Sequence, residues 1–223
     1  MGPAKEHAPT ATAPQIDPAE AELVQRARGG DRAALGELLR QEQGRVFNLC
    51  LRMVGSRADA GDAAQEAMLK AIGAIERFEG ASRFGTWLTR IAINECYTLL
   101  RRRQRRSMAS LDAPRNGDAD TGARYPDPAD PEPGPDQRVQ QHEQTRIALE
   151  TLQTLDPDHR AILVLRDLQG LDYADIAEAL DLKRGTVKSR LFRARLALRA
   201  AIEARTAGPA PASRPATPDE AAP

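Results

Sequence analysis

The chain has 223 residues, with 32 Lys+Arg balanced by 32 Asp+Glu, three histidines, two cysteines and 4% aromatic residues. That length suits one large domain or two small ones, and a net charge of zero excludes a uniformly basic nucleic-acid coat while leaving local basic segments open. No apolar run approaches the roughly 20 residues of a membrane span, and the start "MGPAKEHAPTATAPQ" has no apolar signal core.

The scarcity of aromatics leaves Leu, Ile, Val, Met and Ala to form the cores, as suits small helical bundles. Residues 1–19 are rich in Ala, Pro and Thr and read as a disordered tail, too apolar-poor to offset their ordering entropy. Although the chain begins Met-Gly, Glu6 stands where a myristoylation site wants Ser or Thr. "DPAEAELVQRARGGD" reads as a short helix ended by Gly29-Gly30, after which Asp31 caps the next helix. Val46, Leu49, Cys50, Met53 and Val54 form a helical stripe closed by Gly55-Ser56. A second stripe runs Ala60, Ala63, Ala64, Ala67, Met68, Ala71, Ile72 and Ile75. "FEGASR" breaks the chain at Gly80, and Ser82 is placed to cap a long helix through Trp87, Ile91, Asn94 and Leu99 to the arginine-rich run 101–106. Cys50 and Cys96 have neither CxxC spacing nor neighbouring histidines, so they read as buried thiols of a reducing compartment.

Residues 112–137, "DAPRNGDADTGARYPDPADPEPGPDQ", read as a linker. Beyond it a helix is expected over about 139–154 and another over 157–168. A turn at Gly170 leads to a short helix at 173–180, whose Tyr173, Ile176, Ala177 and Leu180 share one face. After the turn "DLKR" comes a long basic helix. Two helices joined by a short turn, the second long and basic, form the helix-turn-helix pattern. On that last helix Val187, Leu191, Ala194, Leu198 and Ile202 form the core stripe. Ser189, Phe192 and Arg193 lie away from it, at neighbouring i, i+3 and i+4 positions. An apolar contact from Phe192 to a thymine methyl beside an Arg193–guanine hydrogen bond fits base readout. Lys188, Arg190 and Arg195 fit phosphates, and Thr186 at the helix start adds a hydroxyl and backbone N–H. The alternative is a solvated basic helix with Phe192 packed on a neighbour. Residues 205–223 read as a second disordered tail. The fold class is therefore all-α: two small helical domains, 20–107 and 139–204, joined by a flexible acidic linker at 108–138.

"LDPDHRAILVLRDLQGLDYADIAEALDLKRGTVKSRLFRARLALR" resembles the minus-35-binding domain of bacterial extracytoplasmic-function (ECF) sigma factors. "AELVQRARGGDRAALGELL", "DAGDAAQEAMLKAI" and "FEGASRFGTWLTRIAINECYTLLRRRQRR" resemble that family's first helices, its polymerase-binding helix and its minus-10 segment. The resemblance implies a cytoplasmic, dissociable subunit of core RNA polymerase that recognises promoter DNA. It implies no catalysis, cofactor, metal or small-molecule substrate of its own, and no membrane insertion. Asp62, Gln65 and Glu66 match its polymerase contacts; a solvated acidic face is the alternative. Asn94 matches the asparagine of a pocket for a flipped minus-10 base. Glu79 to Arg83 match the loop forming that pocket, so Ser82, Arg83, Trp87, Arg90, Asn94, Arg101 and Arg102 are the minus-10 candidates. Trp87 is equally readable as core or as a stacking platform. Arg184, Thr186, Lys188, Ser189, Arg190, Phe192, Arg193 and Arg195 are the minus-35 candidates.

Ala63 and Ala64 replace bulkier apolar residues of the polymerase-binding motif, which implies a thinner contact there. Gly85 stands where a larger side chain is usual, and Glu95 and Tyr97 match no base contact. The family also implies an anti-sigma partner that clamps the two domains together. Promoter elements about two duplex turns apart, on the order of 70 Å, require a stretched linker. Its acids Asp118, Asp120, Asp127, Asp130, Glu132 and Asp136 would either thread a basic polymerase channel or serve as an inert spacer. A stand-alone helix-turn-helix regulator is the rival function, but it leaves the N-terminal motifs unexplained.

Overall fold

The structure, a computed structural model, describes residues 16–109 and 147–206. The expected linker, the outer parts of both expected tails and the expected helical residues 139–146 lie outside the described residues. All regular elements among the described residues are helical.

Helix α1 (Pro18–Arg28) begins where Asp17 accepts from Ala19 N–H at 3.1 Å and Pro18 supplies a preset φ at the first turn. It therefore starts inside the tail expected from composition. Asp31 accepts from the N–H groups of Ala33 and Ala34 and caps α2 (Arg32–Val54), as the sequence predicts. Those backbone donors, first Ala34, and the Arg26 guanidinium hold the Asp31 carboxyl below its ordinary range. Helix α2 stops at Gly55, whose φ of 76° is left-handed and whose N–H donates to Leu51 O at 2.9 Å. Helix α3 (Arg57–Ala74) is capped by Ser56 and ends in a 3₁₀ turn, Ile75–Arg77. The long α4 spans Phe84–Ala109.

Helices α2, α3 and α4 pack mutually, with α1 laid across α2. The contact face of α3 is almost entirely alanine: Ala60, Ala63, Ala64, Ala67 and Ala71 are all buried. Leu49, Met53, Leu88 and Ile93 fill the space the small residues leave. Cys50 and Cys96 sit together in this interior as free thiols, and a mutual hydrogen bond followed by burial pushes the Cys96 thiol far up. Ile72, assigned to the buried stripe by periodicity, instead points outward at 48% exposure. Five alanines already complete the inner face, and Ile72 lies beyond its edge.

In the second domain, α5 covers residues 147–154. Helix α6 (Pro157–Leu163) follows, capped by Asp156, and widens into a π-type turn over Val164–Leu168. Helix α7 (Tyr173–Ala179) is capped by Asp172, and α8 runs Arg184–Thr206. Ile176, Ala177, Val187, Leu191 and Ala194 are buried where α6, α7 and α8 meet. Tyr173, expected on that face, is exposed, with the Arg166 guanidinium 5.2 Å above its ring. Arg166 reaches it because its own Nη1 is anchored on Leu171 O at 2.7 Å.

The start of α4 differs from the sequence reading. Ser82 does not cap it; its hydroxyl lies 3.5 Å from Arg83 O, and the residue is 2% exposed. The Arg83 carbonyl accepts the first helical bonds, from Thr86 and Trp87, and the carboxylate of Glu20 on α1 accepts from Phe84 N–H at 2.6 Å. A carboxylate at a helix N-terminus gains from both the charge-assisted bond and the helix dipole. Glu20→Ala is expected to destabilise the N-terminal bundle by about 1–2 kcal/mol and to speed amide exchange in the first turn of α4. Glu20→Gln is expected to restore part of the protection. Hydrogen-exchange mass spectrometry with chemical denaturation checks both.

Candidate nucleic-acid interface

Helix α8 separates its residues as the wheel predicts. Val187, Leu191 and Ala194 are buried against α6 and α7, with Leu198 and Ile202 half-buried farther along. Ser189, Phe192 and Arg193 are exposed together on another side, Phe192 at 65%. Ser189 Oγ donates to Thr186 O at 3.1 Å, and Arg193 Nε reaches Ser189 O at 3.4 Å, so the guanidinium leans back beside the hydroxyl. The reading that packs Phe192 on a neighbour is not the arrangement found. Leu196, one turn beyond Phe192, continues the exposed apolar strip; the wheel did not single it out.

The surrounding cations are arranged for exchange. Arg184, Lys188 and Arg195 are exposed, and Thr186 and Arg190 are half-buried at the edge. Arg190 pairs with Asp158 at 3.2 Å, and Arg195 pairs with Asp167. Solvent-exposed ion pairs of this kind contribute about 0–1 kcal/mol, so a phosphate oxygen replaces the carboxylate at little cost. Packing on α6 and α7 leaves the Ser189, Phe192 and Arg193 side of α8 facing solvent, the placement a recognition helix needs to enter a major groove.

The candidates on α4 divide differently. Arg83, Arg90, Asn94, Arg101 and Arg102 are exposed along the helix. Trp87 is half-buried and stacked on Phe78, with ring centroids 4.9 Å apart, and Phe84 lies 5.6 Å away. This aromatic cluster belongs to the wall of the bundle, and Trp87 stays half-buried within it. Ser82 is sealed beneath Arg83 and offers nothing to an external base in this conformation. Gly85 lies against α2: a Cβ there would stand 2.8 Å from Glu42 Oε1, the tip of a flexible side chain that can swing aside, so the contact does not by itself require glycine. Arg103, also exposed, donates to Val54 O at 3.1 Å and pairs with Asp59, which ties it to the end of α2 and the start of α3.

On α3, Asp62, Gln65 and Glu66 are exposed at helical spacing on one outer face. Leu69, 55% exposed, and Ile72 extend that face with apolar surface. The sequence reading missed both, because in a helix of alternating alanines and polar residues the outer stripe looks like the inner one. Ala63 and Ala64 are buried and belong to the packing side, so they do not thin the outer face. Glu95 and Tyr97 also find places: Glu95 pairs with Lys70 at 2.6 Å, and Tyr97 stands beside Asp158 of the second domain. Burial, then the Asp158 charge, pushes its phenol well above the ordinary value.

Comparison with known proteins identifies the family. The family model described as Sigma-70 region 2 matches residues 38–106, and that described as Sigma-70, region 4 matches residues 145–198. The ECF RNA polymerase sigma-E factor of Haemophilus influenzae is 40% identical over 177 residues, spanning 78% of this chain and 89% of the relative. Its namesake in Escherichia coli K12 is 37% identical over 177 residues, spanning 79% and 90%. The solved structure of CnrH in complex with the cytosolic domain of CnrY aligns with a TM-score of 0.57 at 25% identity, covering 83% of this chain and 98% of that one. The sigma factor RpoE in complex with the anti-sigma factor NepR, from Bartonella quintana, shares the fold at a TM-score of 0.57 and 23% identity, covering 75% and 96%. With both regions matched in order and the similarity running across most of each relative, the chain belongs to the ECF sigma factors of the sigma-70 family.

Proposed function

We propose that this sigma factor docks on core RNA polymerase through the outer face of α3 and reads promoter DNA with α8 at the minus-35 element and α4 at the minus-10 element. The observation that carries the reading is the exposed Phe192, set between Ser189 and Arg193 on a helix whose core positions are otherwise filled by aliphatic residues. A 65% exposed phenylalanine costs solubility unless an apolar surface such as a thymine methyl covers it. Lys188, Arg190, Arg195 and Arg184 supply the phosphate contacts that fix register. On α4, Asn94 with Arg90 and Arg83 supports capture of an unpaired base, with Trp87 forming the aromatic wall. The protein acts in the cytoplasm, where polymerase is found, and no helix among the described residues is long and apolar enough to cross a membrane. An anti-sigma factor that covers these faces belongs to the same proposal. The stand-alone regulator gains no support, since it has no use for the exposed face of α3.

Run-off transcription with core polymerase on a promoter library tests the whole reading. Arg193→Ala is expected to cost about 1–3 kcal/mol and to relax specificity at one minus-35 position, whereas Lys188→Ala is expected to weaken all sequences evenly and reduce the salt slope by about 1. Titrations at several salt concentrations separate the two. Leu69→Ala with Ile72→Ala is expected to weaken core-polymerase binding by about tenfold or more while leaving the melting temperature within a few degrees, because both side chains already face water. Pull-down alongside thermal denaturation measures this pair of effects.

A further inference from the structure

Residues Phe78 to Arg83 join the 3₁₀ turn to α4, beside the side chains read above as the minus-10 face. Their side chains alternate. Phe78, Ser82 and, just past the loop, Phe84 are buried, whereas Glu79, Ala81 and Arg83 are exposed. Gly80 turns the loop at a φ of 71°. The entry is fixed from within the segment: Phe78 N–H donates to Ile75 O at 3.0 Å, and the Phe78 ring is stacked on Trp87 and edge-on to Phe84. The exit is fixed from outside it. A helix start is normally closed by a side-chain acceptor on the residue just before it. That residue is Arg83, whose guanidinium only donates, and Ser82 Oγ faces Arg83 O instead. The acceptor for Phe84 N–H is the carboxylate of Glu20, 64 positions earlier on α1, at 2.6 Å.

Helix α1 therefore touches both ends of the loop. It packs on the 3₁₀ turn that leads in and caps the helical turn that leads out. Glu20 and Arg83 also share the walls of an open groove with Ile16, Asp17 and Pro18, so the residue that sets the exit of the loop lies beside its exposed cation. No part of α1 falls within residues 38–106, the stretch matched as Sigma-70 region 2. A local cap would hold the first turn of α4 whatever α1 did. A remote cap makes the exit angle of the loop conditional on α1 staying in place. A binding site works when its parts are held to within about 0.5 Å, and Phe84 N–H is the point where α1 sets that tolerance for Arg83 and Trp87.

We propose that Glu20 is a positioning residue for the minus-10 step: from α1 it holds the loop and the first turn of α4 in the shape that accepts an unpaired base, without touching the DNA itself. The proposal rests on the minus-10 reading of α4 given above.

The test uses the full chain bound to core polymerase and fluorescent single-stranded oligonucleotides. One carries the non-template minus-10 sequence of a promoter selected in the run-off library. The others carry an abasic site at each minus-10 position in turn. The wild type is expected to lose about tenfold in affinity at the position whose base is captured. Glu20→Ala is expected to bind the intact oligonucleotide more weakly and to lose no more than about twofold at that same position. Glu20→Gln, whose amide oxygen still accepts from Phe84 N–H, is expected to keep most of the discrimination. A smaller folded fraction lowers affinity for every oligonucleotide by one common factor and leaves their ratio untouched, so lost stability alone does not produce this result. A ratio in Glu20→Ala equal to that of the wild type overturns the proposal and leaves Glu20 a structural cap only. A wild type that loses affinity at no position overturns the minus-10 reading, and the proposal with it, so the wild-type series alone tells the two failures apart.

Discussion

The close approach of α3 to α2 and α4 is the constraint on which the rest of the N-terminal domain depends. Five buried alanines on one side of α3 bring its backbone near both neighbours, and the larger Leu49, Met53, Leu88 and Ile93 fill the interior around them. Packing by alternating small and large side chains gives native density without aromatic bulk. The same choice decides what α3 displays. With its inner face completed by alanine and the half-buried Met68, the large apolar Leu69 and Ile72 stand outside, next to Asp62, Gln65 and Glu66. A packing solution and an exposed binding face are thus two sides of one helix.

Polar groups at helix ends do the corresponding work for position. Glu20 anchors the start of α4 from α1, Glu42 lies against Gly85 on the same turn, and Arg103 holds the end of α2 from within the domain. The hydrogen bonds of Glu20 and Arg103 are few, directional and costly to leave unmade. They place the aromatic cluster of Phe78, Phe84 and Trp87 and the exposed row of Arg83, Arg90 and Asn94 on a helix whose entry angle is fixed. In the second domain, side-chain caps from Asp156 and Asp172 start α6 and α7 and so set where α8 can begin.

Much of this was legible in the sequence where the signal is local. Asp31 before α2, Gly55 after it, and the Val187–Leu191–Ala194 stripe all depend on neighbours within one or two turns, which periodicity and capping rules register. The exposed set of Ser189, Phe192 and Arg193 followed from the same wheel. The cap on α4 was assigned to Ser82 because it is adjacent, whereas the partner is Glu20, far away in the chain and recognisable only once α1 has folded across. Tyr173 and Ile72 were misplaced for a related reason: a helical stripe gives the direction of a face but not its width, and each stands just past the edge. Arg160 is a cation that the sequence reading did not single out. It is buried because five carbonyl and amide acceptors, one of them from the other domain, converge on it. No spacing in the chain announces such a convergence.

Because Arg160 retains acceptors of its own, neither domain has to melt when the two part company. The motion is that of intact bodies on a covalent tether, a class of movement that runs on the microsecond-to-millisecond scale. Transcription initiation requires many slower steps after that. Separation of the two domains thus adds no unfolding barrier of its own to those steps.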